Sequence, residues 1–251
     1  MWGLETRETQ QEIRKELNDQ LIRTAAIGPG GENLVRFACI LNDVSHAYGR
    51  TGMGAVMGAK KLKAIAVRGK LVPPMANEKV VRDLARWMAQ NFKKETGFWK
   101  AGTGAAMEAF SLAGIMPTYN FKDGCYDEVK KITAPAVMEK FGVGMEGCYA
   151  CPVRCKKRIR IDDPACPVDP AYGGPEYETL AAFGSNCGID DAQAICKAHE
   201  ICNRQGLDTI SAGVTISFAM ECFENGILNL KDTDEIELRF GYKGRPKTVT
   251  V

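Results

Sequence analysis

Three cysteines lie within eight residues of the sequence, at Cys148, Cys151 and Cys155. The spacing C-x₂-C-x₃-C allows one loop to direct three thiolates at a compact inorganic core, and Pro152 prevents a regular helix there. Three thiolates need a fourth ligand, whether the site is a cubane iron–sulfur cluster or a tetrahedral zinc ion. The nearest candidate is Cys166. We favour an iron–sulfur cluster, with zinc or three buried thiols as alternatives.

A glycine-rich segment at residues 49–58 is the second candidate for chemistry. It places the guanidinium of Arg50 beside a backbone that could approach a ligand closely. Backbone N–H groups together with Arg50 would suit phosphate, although the G-K-S/T sequence of a Walker A loop is missing. A structural turn is the alternative interpretation.

Four basic residues follow the cysteines, and they are either a solvated face or a docking surface for an acidic electron carrier. They are Lys156, Lys157, Arg158 and Arg160.

Composition excludes several classes of protein. The 251 residues suffice for one large or two small domains, and 45% hydrophobic with 25% charged residues is ordinary for a globular chain. The near balance of 33 basic and 31 acidic residues predicts no nucleic-acid partner. We see neither an apolar stretch of the ~20 residues that span a bilayer nor a signal peptide, so we expect no membrane association. Ten cysteines without an export signal favour a reducing, cytoplasmic compartment.

Apolar periodicity and breaker residues predict the elements that position these groups. Strands are predicted at residues 23–27 and 65–67, with a turn at 28–31, and residues 34–41 fit either strand or helix. Helices are predicted over residues 6–21, from an Asn77 cap onward, 105–112, 134–141, 190–205 and 211–224. Asp190 with Gln193 resembles a capping box, and Gly206 suits the C′ position. Pro73 and Pro74 mark a boundary.

Five motifs in this order resemble the aldehyde ferredoxin oxidoreductase family. They are Ala26-Ile-Gly-Pro-Gly-Gly-Glu-Asn-Leu-Val-Arg36, the glycine-rich run from Gly49 to Ile65, the cysteine loop, Gly174-Pro-Glu-Tyr-Glu-Thr179 and Gly206-Leu-Asp-Thr-Ile-Ser211. The resemblance covers roughly residues 1–240. It implies a tungsten (or molybdenum) ion held by two pterins beside a 4Fe–4S cluster. It also implies oxidation of a small aldehyde to a carboxylic acid, with electrons passed to ferredoxin or a similar carrier in an anaerobic, cytoplasmic setting.

The resemblance assigns roles residue by residue. It implies pterin contacts by Arg50, Thr51, Gly52 and Gly54, and by a second motif at Asn203, Gly206, Leu207 and Asp208. Asn203 replaces the aspartate that begins this second motif in the family. Cys148, Cys151 and Cys155 would hold the cluster. Glu178 would lie near the metal as general acid or base; a helix-capping or salt-bridged role is the alternative for it and for Glu176.

These features predict an α+β chain. Residues 1–72 are expected to be the C-terminal part of a β-rich cofactor-binding domain, residues 73–240 a mainly α-helical domain with the cluster loop, and residues 241–251 a tail outside the family pattern. The resemblance implies a truncated member, inactive alone, because other pterin contacts and the fourth cluster cysteine are missing. The family's Glu-x-x-His motif is not matched around His199, so no bridging iron is predicted.

Two other functions remain open. One is a benzoyl-CoA reductase-type catalytic subunit, which shares the cofactors but works in a complex; a homo-oligomer is also possible. The other is a non-enzymatic metal-binding module that uses Cys166 as the fourth ligand and the basic residues 156–160 as a partner surface.

Overall fold

A computed structural model describes residues 1–95 and 98–241. A small antiparallel sheet lies in the N-terminal part, and the remainder is mostly helical, so the α+β prediction is confirmed in this form. The sheet has the order β3-β2-β1-β4, with β1 Arg23–Ala26, β2 Ile40–Asn42, β3 His46–Tyr48 and β4 Ala64–Val67. The division near residue 72 stays a prediction.

Helix α1, Thr6–Glu16, packs its buried Ile13 and Gln10 against the sheet. The Gln10 Nε2 donates to Thr24 Oγ1 on β1 at 3.1 Å. The helix ends before the predicted residue 21, because Asn18 adopts a left-handed φ of 48° that turns the chain toward β1.

The residues predicted as a turn form a short helix instead, α2 Pro29–Glu32, because proline occupies its first turn. It packs against α3, Met53–Ala59, with so little space that a Cβ on Gly58 would lie 1.9 Å from the Gly31 carbonyl oxygen. Residues 34–41 are neither one helix nor one strand. Ala38 instead forms an isolated antiparallel bridge with Leu207, which brings the second predicted pterin motif to this sheet.

The mostly helical part begins with α4, Glu78–Glu95, whose Val80 N–H donates to the predicted cap Asn77 at 3.1 Å. Six further helices follow before the last one: α5 Phe98–Ala101, α6 Met107–Leu112, α7 Val129–Ile132, α8 Ala134–Phe141, α9 Tyr177–Phe183 and α10 Ala192–Gln205. The last helix is α11, Thr209–Glu224. Their core includes the fully buried Met107, Ile132, Val137 and Leu180.

Two helix starts differ from the sequence prediction. The cap of α10 is Asp191, not Asp190, since the Asp191 carboxylate accepts from the N–H groups of Gln193 and Ala194. Helix α11 begins two residues before the predicted 211, because Asp208 caps it. The predicted C′ glycine is confirmed: Gly206 ends α10 with φ 70°.

A hairpin that the sequence pattern did not predict carries the cysteine loop. It consists of β5 Gly142–Glu146 and β6 Lys156–Ile159. In the described part of the chain, no helix combines the length and apolar character that a membrane crossing requires. Of the predicted tail 241–251, residues 242–251 lie outside the described residues.

Candidate active site and cluster loop

The two predicted pterin motifs, far apart in sequence, meet in the structure. The Nε of Arg50 lies 3.6 Å from Oδ2 of Asp208. Residues 37–39 bridge the motifs, since the Asp208 N–H donates to Phe37 O at 3.0 Å and the Cys39 N–H to Gly206 O at 2.8 Å. Arg50 is largely exposed whereas Asp208 is buried, so the guanidinium is the part of this pair that a ligand could reach.

Asp208 is held in place by a second set of contacts. Its carboxylate accepts from the N–H groups of Ile210 and Ser211 at 3.2 and 3.1 Å, and from Ser211 Oγ at 2.5 Å. A helix N-cap with three donors fixes the carboxylate oxygens in space. Its orientation toward Arg50 is therefore set by α11.

The glycines of the first motif have a structural reason to be glycine. A Cβ on Gly52 would lie 2.2 Å from Arg36 O, and one on Gly54 would lie 2.6 Å from Cys39 O. Gly52 also has a φ of 72°, and the exposed Thr51 before it has 80°. These values support the structural turn; a cofactor contact by these residues stays a prediction.

In the second motif, Gly206 and Leu207 pack against α2 and its N-terminal glycine. A Cβ on Gly206 would lie 2.7 Å from the Gly28 nitrogen, and the Leu207 side chain covers Gly30. Asn203 faces elsewhere: its Nδ2 donates to Tyr172 O at 2.9 Å inside the core. The structure therefore brings Gly206, Leu207 and Asp208 toward Arg50, while the amide of Asn203 is used in core contacts.

A cleft of about 450 Å³ contains both Arg50 and Glu178. Glu178 lies in the first turn of α9 and is exposed, whereas the three following residues of this helix, Thr179 to Ala181, are buried. The burial of those residues leaves Glu178 on the solvent side of the helix. The predicted acid/base and the predicted pterin-binding arginine thus line one cavity.

A strained turn lines the same cleft. Tyr119, Asn120 and Phe121 have successive φ values of 48°, 53° and 64°. Left-handed backbone costs about 1–2 kcal/mol for each such residue. The N–H groups of Asn120 and Phe121 donate to the main-chain and side-chain oxygens of the fully buried Asn186 at 2.9 and 3.1 Å. The sequence gives no sign of this turn, because backbone handedness leaves no trace in its apolar pattern.

The cysteine loop turns within the β5–β6 hairpin. The Cys151 N–H donates to Cys148 O at 3.0 Å, and Ala150 and Arg154 have left-handed φ values of 54° and 48°. Cys148 is exposed, and Cys151 and Cys155 are partly buried; all three are free thiols. Burial raises the pKa of Cys155, and the neighbouring carboxylate of Glu176 adds to the shift.

Three free thiols on one short loop fit the ligand chemistry of an iron–sulfur cluster. Within residues 1–95 and 98–241, no three His, Cys, Asp or Glu side chains are grouped so that they could hold a metal ion. Cluster ligation by Cys148, Cys151 and Cys155 stays a prediction.

Cys166 lies in the loop after β6, and its main chain contacts the first turn of α10. Its carbonyl oxygen accepts from Gln193 Nε2 at 3.3 Å, and its N–H donates to Asp163 O at 3.0 Å. Burial raises the pKa of its thiol, and the charged groups that act on it are Lys197, Asp191 and Asp163. Both hydrogen bonds use main-chain atoms of Cys166 rather than its thiol, so its role as the fourth ligand stays a prediction.

A buried ion pair connects β6, the strand that follows the cysteine loop, to the start of α9. Lys157 is fully buried, and its Nζ donates to Ala101 O and Thr103 O at 3.2 and 3.0 Å and lies 3.6 Å from Glu176 Oε2. Thr103 Oγ1 donates to the same carboxylate and accepts from the Tyr177 N–H. Burial lowers the pKa of Lys157.

This burial corrects one prediction. Lys157 cannot belong to a solvated face or a docking surface, because alternation along β6 turns it inward and Arg158 outward. The strand was not predicted, so its two-residue period was not applied to the basic run. Arg158 and Arg160 remain exposed.

The cluster loop borders a different cavity, of about 670 Å³, that includes His46, Glu146, Cys148 and Arg158. Burial lowers the pKa of His46, and Lys156 contributes. Cys148 and Glu178 therefore line separate cavities. Glu176, which precedes α9, contacts Lys157 on β6 and so connects the two regions.

Comparison with known proteins extends over almost the whole chain. A family model described as aldehyde ferredoxin oxidoreductase, N-terminal domain, matches residues 1–69. A second, described as aldehyde ferredoxin oxidoreductase, domains 2 & 3, matches residues 79–248.

Individual relatives agree with the family models. The tungsten-containing aldehyde ferredoxin oxidoreductase of Pyrococcus furiosus is 40% identical over 238 residues, which cover 93% of this chain and 38% of that protein. The enzyme of the same name from Thermococcus kodakarensis is 39% identical, with 91% and 38% covered. This chain thus spans about two fifths of the length of these relatives.

One solved structure is also similar. It is the active-site complex BamBC of benzoyl coenzyme A reductase with 1,5-dienoyl-CoA, with a TM-score of 0.71 and 26% identity. The match covers 95% of this chain and 38% of that one.

Proposed function

This chain belongs to the aldehyde ferredoxin oxidoreductase family, and from that premise we propose that it takes part in oxidising aldehydes to carboxylic acids. The overall change consumes one aldehyde and one water and releases a carboxylic acid, two protons and two electrons. A tungsten (or molybdenum) bis-pterin would supply the two-electron chemistry when bound.

The cleft that joins Arg50 and Glu178 is the observation that carries this proposal. It unites a general acid/base candidate with an anion-binding arginine whose partner, Asp208, is immobilised by α11. In the proposed enzyme the first motif would contact the pterin through the exposed guanidinium of Arg50 and the backbone around Gly52 and Gly54, and Gly206 to Asp208 would support that motif from behind Arg50. Glu178 accepts the proton that leaves the reacting oxygen atoms.

The electrons are proposed to leave through a 4Fe–4S cluster on Cys148, Cys151 and Cys155. The ion pair of Lys157 with Glu176 anchors β6, the strand that follows the cysteine loop, to the start of α9, and the three cysteines of that loop would hold the cluster. The exposed Arg158 and Arg160 would attract an acidic one-electron carrier of the ferredoxin kind, since opposite charge speeds encounter.

The cysteines also support the proposed cytoplasmic location. All ten are free thiols, including buried ones such as Cys39 and Cys187. Thiols persist in compartments that glutathione and thioredoxin keep reduced.

Aldehyde-dependent reduction of a viologen dye, measured anaerobically on the protein with its metal and pterin, tests this function. From protein that holds both cofactors we expect reduction with a simple aldehyde and none with the matching alcohol, whereas the chain without them should reduce no dye. A protein that contains tungsten, pterin and iron but reduces no dye with any aldehyde would contradict the proposal.

A benzoyl-CoA reductase-type catalytic subunit is the second candidate, and the BamBC likeness with a TM-score of 0.71 favours it. We propose the aldehyde reaction first, supported by the 40% identity to the Pyrococcus furiosus enzyme against 26% to that structure. Co-purification of a stoichiometric partner subunit, with thioester and not aldehyde turnover, would reverse this order.

The metal-binding module is the least supported alternative. It requires Cys166 as the fourth ligand, whereas the family models and the 40% identical relative support the oxidoreductase proposal.

A further inference from the structure

The strained turn at residues 119–121 is anchored on several sides. Besides the two bonds to Asn186, the Tyr119 N–H donates to Ser185 O at 3.0 Å. Ser185 and Asn186 are both fully buried. Three consecutive main-chain donors are thus held by one rigid segment next to α9.

Side chains add a second anchor on α11. Asn120 Nδ2 donates to Glu221 Oε2 at 2.5 Å, and Ser217 Oγ lies 3.1 Å from Asn120 Oδ1. Ser217 Oγ also accepts from Asn186 Nδ2 at 2.8 Å, which joins the two anchors through a fully buried hydroxyl. Left-handed conformations persist only where the surroundings over-determine them, and they concentrate at ligand clamps.

These hydrogen bonds fix the position of Phe121. Its ring is 63% exposed, although a large apolar side chain in a well-anchored turn could have been buried. It lines the cleft together with the apolar Pro117, Ile210 and Val214 and with the charged Arg50 and Glu178. The lining therefore combines apolar area with charged groups.

We propose that Phe121 is a specificity-determining residue that selects substrates with a flat apolar group, such as an aryl ring, over small polar ones. In this proposal the aryl ring of the substrate stacks on Phe121 against Pro117 and Val214, and the polar substituent of the substrate points toward Glu178. This inference rests on the proposed function for the identity of the reacting group, but the preference itself is a binding property of the cleft.

Binding of benzamide and acetamide to the purified chain tests the preference without any turnover. Both amides are neutral and unreactive, and benzamide has a phenyl ring where acetamide has a methyl group. Titration followed by saturation-transfer NMR gives both dissociation constants. We expect benzamide to bind at least about 10-fold more tightly, as burial of an aromatic ring predicts.

Phe121→Ala is expected to weaken benzamide binding about 5-fold and to leave acetamide unchanged, because an aromatic pair contributes a modest free energy beyond its area. Phe218→Ala is the matched control: that ring on α11 is 61% exposed and lies outside the lining of the cleft. Ser217→Ala removes the hydroxyl that joins the anchors, and should weaken benzamide binding although Phe121 is still present.

Equal affinity for the two amides, no benzamide binding, or an unchanged constant in Phe121→Ala would overturn the inference. Metal and pterin analysis of the same sample reports on the proposed function independently. A chain that holds its cofactors but shows no ring preference loses only the role of Phe121.

Discussion

At the level of single residues, the carboxylate of Asp208 connects the two predicted pterin motifs. It caps α11 and pairs with Arg50. The sequence predicted both residues as cofactor contacts from the family resemblance, but it could not show that they touch. The pairing depends on the bridge between residues 37–39 and 206–208, which is a tertiary contact between distant segments.

Glu178 is the residue on which the proposed proton transfer depends. In the protein with its cofactors, Glu178→Gln should lower kcat by about 10²–10⁴-fold, the usual contribution of general acid–base catalysis. Metal and pterin content should stay unchanged, because the side chain is exposed and its helix is held by other residues. Glu139→Gln, an exposed glutamate on α8, is the control. Equal kcat in both variants would refute the assignment.

His199 makes stability depend on pH. Burial lowers its pKa to about 4, well below the 6.5 of a free histidine, while its Nε2 lies 3.1 Å from Tyr172 O. The unfolded chain therefore binds a proton at a higher pH than the folded one. The stabilisation from the neutral ring is complete above pH ~6.5 and is lost as the pH falls toward ~4.

Urea unfolding at pH 7 and pH 5 measures this effect. The free energy of unfolding should fall between these values by an amount on the order of 2 kcal/mol from His199 alone. His199→Gln should reduce that difference. An identical pH dependence in the variant would show that other groups are responsible.

At the level of the elements, close backbone contact between α2 and α3 shapes the first motif. Gly58→Ala should destabilise the fold, because its Cβ would meet the Gly31 oxygen at 1.9 Å. An overpacking cost of about 1–3 kcal/mol exceeds the helix-propensity gain of up to ~1 kcal/mol. Gly69→Ala, with only a side-chain atom at 3.9 Å, should be near neutral in denaturant unfolding. Equal stability of the two variants would mean that α2 and α3 separate easily.

The Lys157 network holds β6 against α9. Lys157→Met should lower the free energy of unfolding by roughly 3 kcal/mol, because Glu176 would lose its buried cation. The double variant Lys157→Met with Glu176→Gln should recover part of that loss. Lys140→Met, at an exposed position on α8, is the control. If Lys157→Met unfolds like wild type, the network does not fix the cluster loop.

Helix prediction succeeded where local signals are strong and failed where tertiary contacts decide. Helix α8 has the predicted bounds, since Thr133 and Pro135 define its start. The β5–β6 hairpin was missed because glycines and charged residues make up much of its strands, so no apolar alternation marks it. The left-handed turn at residues 119–121 was missed because Asn186, far along the chain, stabilises it.

For the whole molecule, the sequence predicted the α+β class and the family, and the structure adds the spatial relation of the sites. Arg50 and Glu178 line one cleft, and Cys148 lines another. Helix α9 and the residues that precede it connect them through Glu176 and Glu178. Which predicted ligands bind a cofactor depends on atoms beyond the polypeptide, so neither sequence pattern nor packing determines it.

The central claim is that the cysteine loop and the Arg50 cleft hold an iron–sulfur cluster and a metal pterin. Anaerobic analysis of iron, tungsten, zinc and pterin in the purified chain, compared with Cys151→Ser and Cys166→Ser, tests it most directly. We predict about four iron atoms per chain, as for a cubane cluster, with loss of iron in Cys151→Ser and normal iron in Cys166→Ser; tungsten and pterin in the same sample would mean that this chain also holds the metal pterin. Zinc without iron or pterin, lost in both variants, would contradict the account.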